Sequence, residues 1–109
     1  CAVYTNKLFF YTDAASHFTP VGSVLTGVWQ NFVITKSSTT GVVIYKDGTS
    51  IYTDAATTDA TASTGSPPNN IGAWDGINYG FPGQIAQVRL FPSALSATQA
   101  SALATETAP

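Results

Sequence analysis

The sequence predicts an all-β protein in which antiparallel strands pack as two layers, followed by a short C-terminal helix. Asp47-Gly48 lies between two runs rich in β-branched residues, which is the strongest short signal for a β-hairpin. Gly83 to Phe91 alternates apolar and polar residues, as a strand with one buried face does. With 109 residues, of which 44% are hydrophobic, the chain can bury one core, so we expect a single domain over residues 1–109.

The N-terminal quarter of the chain contains the first predicted strands. Both faces of the second strand are apolar, because Leu8 and Phe10 alternate with Phe9 and Tyr11. The predicted elements are a strand at Ala2 to Tyr4, a turn at Thr5-Asn6, a strand at Lys7 to Thr12, a loop from Asp13 to Pro20 and a short strand from Val21 to Leu25.

The central hairpin has the clearest local signals. Val28 to Lys36 is rich in aromatic and β-branched residues and predicts a strand. Val42 to Lys46 and Thr49 to Tyr52 then flank a two-residue turn, which fixes the register by arithmetic. Lys46 should face Thr49, Tyr45 should face Ser50, Ile44 should face Ile51 and Val43 should face Tyr52, leaving Val42, Ile44 and Ile51 on the core face.

The C-terminal half begins with a low-complexity loop from Ala55 to Ser66. Asn70 to Trp74 is predicted as a short strand. Gly83 to Phe91 follows as a strand with Ala86, Val88 and Leu90 facing inward. Ser96 and Gln99 form a capping-box pattern, which predicts a helix through about Ala104.

The order of these motifs resembles the second half of laminin-G-like, concanavalin A-like jelly-roll domains. Family members usually have further strands before the stretch that matches Lys7 to Tyr11. A sandwich without them would expose strand edges, so we expect those strands to come from residues outside this sequence or from another chain. The matching residues are Trp29, the Tyr45-x-Asp47-Gly48 hairpin, Ile71-Gly72, and Phe81, Gly83 and Ile85 before Ala94-Leu95-Ser96.

Composition excludes several classes of function. Only 9% of residues are charged, against roughly 25% in an average soluble domain, and the net charge is -2. The four basic residues form no stripe that would bind nucleic acid, and no apolar run is long enough to span a membrane. A polar but nearly uncharged surface suits an extracellular, cell-surface or virion-surface protein.

Cys1 is the single cysteine, so an internal disulfide is excluded. Two interpretations remain open. It is either the lipid-modified first residue of a processed lipoprotein or a small apolar strand residue of a longer chain.

Catalysis is not expected. The resemblance includes glucanases, which need two carboxylates, but the single glutamate, Glu106, lies in the C-terminal tail and the aspartates are scattered. His17 is the only histidine, and we interpret it as an exposed loop residue. Without a Gly-x-Ser-x-Gly motif or more His and Cys, neither a hydrolase triad nor a zinc site is indicated.

The candidate ligand site is the predicted loop that contains Asn70, Trp74, Asp75, Asn78 and Tyr79. An aromatic face and fixed amide or carboxylate partners are what sugar recognition requires. The alternative is that Trp74 belongs to the core and the polar residues form turns. No cofactor is expected, except that the resemblance leaves calcium open, with Asp75 beside Asn78, or Asp54 with Asp59, as ligands.

These observations favour a non-catalytic structural or adhesion module of a surface assembly. Its expected partners are other protein chains. The alternative hypothesis is a lectin-like module that binds carbohydrate, as the family resemblance implies.

Overall fold

The computed structural model describes residues 1–11, 15–56, 70–73 and 80–106. Two antiparallel three-stranded sheets and one helix are formed. The first sheet contains β1 (Ala2–Tyr4), β2 (Lys7–Tyr11) and β3 (Ser16–Phe18), in that order across the sheet. The second contains β4 (Phe32–Ser37), β5 (Gly41–Lys46) and β6 (Thr49–Asp54), and the helix α1 spans Ala97–Leu103. The predicted all-β fold class is confirmed.

The core lies where the middle strands of the two sheets face each other. Leu8 of β2 packs with Val42 and Ile44 of β5, and all three side chains are buried. Partly buried side chains from both sheets surround them, including Val3, Phe10, Ile34 and Tyr52. Burying this apolar surface is the main favourable contribution to holding the two layers together.

Two tight turns follow the local sequence signals. Asp47 and Gly48 adopt φ of 48° and 82°, and Thr5 and Asn6 adopt 47° and 57°. Positive φ at both central residues is the type I′ geometry that matches the twist of the flanking strands. Lys46 pairs with Thr49 and Tyr45 with Ser50, as the turn predicts.

Beyond these two pairs the predicted register of the hairpin is wrong. A β-bulge at Ile51 pairs Ile44 with Tyr52, Val43 with Thr53 and Val42 with Asp54. An extra residue on one strand transfers every later side chain to the opposite face. Tyr52 therefore joins Val42 and Ile44 on the inner face.

Two predictions for residues 13–25 were wrong. The loop expected from Asp13 to Pro20 contains β3, which pairs with β2. His17 on this strand is 0% exposed rather than an exposed loop residue, and Thr19 after it accepts a hydrogen bond from Leu8 N through Oγ1 at 2.9 Å. The strand expected from Val21 to Leu25 is a turn region, with Val21 76% exposed.

β4 begins later than the predicted Val28. The residues before Phe32 instead bond to loops: Gln30 Oε1 accepts from Leu25 N at 2.7 Å, and Asn31 N donates to Asp47 Oδ1 at 2.8 Å. Trp29 consequently lies outside the sheet.

The strand predicted at Gly83 to Phe91 is not formed: residues 80–96 contain no strand in the structure. Gln87 has a φ of 54°, which interrupts an extended backbone. Val88 and Leu90, predicted to face inward, are exposed, and Leu90 is 90% exposed. Periodicity reports which side chains would share a face, but a strand also needs a neighbour to bond with. The strand predicted at Asn70 to Trp74 is likewise not formed over residues 70–73.

The helix is confirmed with its predicted cap. Ser96 Oγ accepts from Gln99 N at 3.2 Å, and Gln99 Oε1 accepts from Ser96 N at 2.9 Å. The helix starts after Ser96 because these bonds satisfy backbone N–H groups that have no partner within the helix. Among the described residues, no helix is both long and apolar enough to span a membrane.

Candidate functional site

Most of the predicted ligand loop lies outside the described residues. Trp74, Asp75, Asn78 and Tyr79 belong to residues 74–79, so their assignment to a ligand site, and Asp75 as a calcium ligand, stay predictions. Asn70 is described: its carbonyl oxygen accepts a hydrogen bond from the Cys1 amine at 2.6 Å, and its Nδ2 is buried without a partner in the described chain.

The other proposed calcium pair is Asp54 with Asp59, of which Asp59 also lies outside the described residues. Asp54 is already engaged, since Oδ1 accepts from Ala56 N at 2.9 Å and Oδ2 lies 3.5 Å from His17 Nδ1. Within residues 1–11, 15–56, 70–73 and 80–106, no three His, Cys, Asp or Glu side chains are grouped as a metal site.

A groove beside Trp29, which we call the Trp29 groove, is a concave site among the described residues. Its volume is about 610 Å³, and it lies between residues 24–29 and 81–84, with Val3, Thr5 and Asn6 forming its third side. Trp29 is 45% exposed, so its ring is available to a ligand. Gln84 and Trp29 also line a second hollow of about 460 Å³ with Ile85 and Ala86.

The loop that forms one wall of the groove is held by several hydrogen bonds. The Gln30 side chain bridges it, accepting from Leu25 N and donating from Nε2 to Ser23 O at 3.2 Å. Val24 N donates to Asn6 O at 3.1 Å, which fixes the loop against the β1–β2 turn. On the other wall, Phe81 N donates to Gly72 O at 2.7 Å. The groove is therefore largely preformed.

The described lining of the groove is neutral. It combines the aromatic rings of Trp29 and Phe81 with the polar side chains of Thr5, Asn6 and Gln84, and none of the described lining residues is charged. Aromatic faces and amides suit an uncharged ligand that has both apolar and hydroxyl surfaces. The sequence predicted Trp29 at the start of a strand and gave no signal for this site, because its walls come from three separate segments.

A buried polar cluster joins the two sheets. His17 Nδ1 lies 3.2 Å from Tyr52 Oη and 3.5 Å from Asp54 Oδ2, so β3 of one sheet contacts β6 of the other. The His17 ring lies edge-on to Tyr52, with ring centroids 5.9 Å apart, and is stacked with Phe10 at 6.1 Å. Because the His17 side chain is fully buried, a substrate does not reach it, and it is not a candidate for catalysis.

Burial dominates the electrostatics of this cluster. It lowers the pKa of His17 below its usual value, with Lys36 acting in the same direction and Asp54 partly opposing both. Burial, reinforced by Asp54, raises the pKa of the Tyr52 hydroxyl. The neutral forms of both side chains are therefore favoured.

Glu106, the single glutamate, forms an ion pair on the surface. Its Oε1 lies 2.6 Å from Arg89 Nη1, and this hydrogen bond holds the pKa of the carboxyl below its usual value. A partner that stabilises the carboxylate makes Glu106 a poor general acid.

A laminin-G family model, described as the concanavalin A-like lectin/glucanases superfamily, matches residues 3–101. The chain belongs to this superfamily. The match covers all six strands apart from Ala2, the first residue of β1, and most of the helix, and it confirms the resemblance on which the fold prediction depended. A comparison of this chain with curated proteins finds no match.

A solved structure has the same fold. It is a crystal structure of an S-layer domain-containing protein from Clostridium thermocellum, with a TM-score of 0.56 and 20% sequence identity. The alignment covers 84% of this chain and 45% of that one, so this concanavalin A-like chain spans less than half of the S-layer structure.

Proposed function

We propose that this chain is a non-catalytic structural module of an extracellular or cell-surface protein and that it associates with other protein chains. The superfamily assignment and the S-layer domain-containing protein with the same fold support a surface location. A virion surface, which the composition also allowed, gains no support from these comparisons.

The observation that carries this proposal is the exposed apolar segment from Phe81 to Phe91. Ile85, Val88, Leu90 and Phe91 are all exposed on it. Apart from Gln87, residues 82–95 make no backbone–backbone hydrogen bond to the described chain. A partner strand would bond to the backbone groups that have no partner among the described residues and would cover the apolar side chains at the same time. Association through this segment is the role that best fits its composition and exposure.

The molar mass in solution tests this proposal. Light scattering of the wild type should give a mass above that of the 11.3 kDa monomer, rising with concentration. Leu90→Ser should shift the mass towards the monomer, because it places a hydroxyl where an apolar contact is expected.

The matched control is Val21→Ser, which removes another highly exposed apolar side chain outside the segment. It should leave the mass distribution unchanged. A wild type that is monomeric at every concentration, or a control that dissociates as much as Leu90→Ser, would contradict the proposal.

The Trp29 groove favours a second candidate function, a lectin-like module that binds a neutral carbohydrate. Sugar rings present C–H faces that pack on aromatic rings, and their hydroxyls bond to amides such as those of Asn6 and Gln84. The described residues of the groove lining carry no charge, which matches an uncharged glycan.

A glycan array separates the two possible sugar sites. If the groove binds, Trp29→Ala should lose the signal and Trp74→Ala should keep it. If the predicted loop binds, the two variants should exchange these results. Lack of binding by the folded wild type would exclude this second function.

A further inference from the structure

We propose that His17, Tyr52 and Asp54 form a pH-sensitive latch between the two sheets, closed while His17 is neutral and weakened when His17 takes up a proton. This property is separate from the proposed surface function and does not depend on it. The latch is defined by the contacts of the His17 imidazole with the two side chains of β6.

The β-bulge at Ile51 creates the latch. In the regular register, Thr53 would pair with Val42, and Tyr52 and Asp54 would point away from the first sheet. The bulge pairs Tyr52 with Ile44 and Asp54 with Val42, which are inner-face positions. His17 pairs with Phe10 on β2 and shares its inner face, so the two sets of side chains meet between the sheets.

The groups around His17 oppose protonation on balance. From β6 it faces the Tyr52 hydroxyl and the Asp54 carboxylate, from β4 the charge of Lys36 acts on it, and from β2 it contacts the apolar ring of Phe10. Asp54 favours the imidazolium, but at 3.5 Å and with its other oxygen bonded to Ala56 N it does not offset burial. The pKa of His17 is therefore lowered in the folded state, with burial the largest cause.

The sign of the pH effect follows from linkage. A histidine in the unfolded chain has an ordinary pKa of about 6.5, whereas the folded chain holds the proton less tightly. Above this pH both states are neutral and the latch contributes fully. As the pH falls below it, the unfolded state takes up the proton first, so stability declines until the folded-state pKa is passed.

A nuclear magnetic resonance titration of the imidazole tests the latch directly, because the sequence has one histidine and hence one such signal. The midpoint in the folded wild type should lie below the ordinary value. Asp54→Asn should move the midpoint to lower pH and Lys36→Gln should move it to higher pH, since the two charges act in opposite directions. A wild-type midpoint at or above the ordinary value, or shifts of the same sign in both variants, would overturn the latch.

Urea unfolding at pH 7 and pH 5 provides the stability readout. Between these two pH values, the folding equilibrium constant of the wild type should fall. The fall should be about tenfold for each unit by which the pKa of His17 in the folded state lies below its pKa in the unfolded state, as far as that interval lies above pH 5. His17→Gln should lose much less. The partly buried Cys1 amine, whose pKa is also lowered by burial, remains in this variant, so its contribution to the pH dependence is common to both proteins. Equal acid losses in wild type and His17→Gln would refute the proposal, and the titration of the wild type decides the question if the variant does not fold.

Discussion

Gly41, the first residue of β5, occupies a position that no other residue can adopt without strain. Its φ is 71°, and a Cβ placed there would clash with the Asp54 carbonyl oxygen and lie 2.9 Å from Ala55 Cα. Both neighbours are backbone atoms and cannot rotate away. The close approach of β5 and the end of β6 therefore depends on a missing side chain.

Gly41→Ala should lower the free energy of unfolding by about 2 to 5 kcal/mol, combining positive-φ strain with overpacking. Gly22→Ala is the matched control, because Gly22 has a φ of 81° but no atom within 4 Å of the added carbon. It should lose only about 1 to 2 kcal/mol, the strain alone. Urea denaturation measures both, and equal losses would show that the clash is relieved.

At the scale of single residues, the sequence could not reveal the candidate site. Trp29 precedes a run of β-branched residues, which predicts a strand. Nothing in the local sequence shows that Gln30 and Asn31 bond to loops and not to a neighbouring strand. His17 likewise acquires its role from Tyr52 and Asp54, which lie far along the chain. Both sites depend on long-range contacts.

At the scale of an element, the helix α1 shows what a local sequence signal, here the capping box, can predict. It has seven residues, which is too short for independent stability in water, so its cap and its packing against β6 must hold it. Ser96 and Gln99 satisfy each other's backbone N–H groups. This exchange needs only residues three apart, which is why the sequence predicted it.

Ser96→Ala should lower the free energy of unfolding by about 1 kcal/mol, because it removes the acceptor of the Gln99 N–H. Ser93→Ala, outside the helix and exposed, is the control and should change stability by less than about 0.5 kcal/mol. Thermal unfolding of the two variants gives the comparison. An equal effect of both substitutions would mean that the capping box contributes nothing.

The strands divide into those that a turn specifies and those that need a distant partner. The Asp47-Gly48 turn fixed the first two pairs of its hairpin correctly, but not the bulge at Ile51. The bulge places Tyr52 and Asp54 against the other sheet. Counting residue pairs outward from the turn cannot predict this, because it assumes a regular ladder. The segment from Gly83 to Phe91 has the alternation of a strand but is not part of either sheet that the described residues form.

At the scale of the whole molecule, stability is distributed unevenly between the sheets and the segment that follows them. β5 is bonded on both sides and includes the fully buried Val42 and Ile44. Apart from Gln87, residues 82–95 make no backbone–backbone hydrogen bond to the described chain, and none of them is buried. The fold class could be predicted because two layers follow from patterning, whereas the conformation of residues 83–91 depends on which partners the rest of the chain offers.

Amide hydrogen exchange should reproduce this division. Under conditions that keep the chain monomeric, β5 amides should exchange slowly, and those of residues 82–86 and 88–95 should exchange close to the rate of an unstructured chain. At concentrations where association occurs, protection should appear in residues 82–95 and leave β5 unchanged. Strong protection of this segment in the monomer would show that it pairs within the chain.

Arg89 is the one charged residue between Phe81 and Phe91, and Glu106 already neutralises it. Contacts made by this segment would come from apolar side chains and not from ion pairs. Their strength should then hardly respond to salinity and should weaken on cooling. Association through this segment would therefore persist over a wide range of salt concentrations.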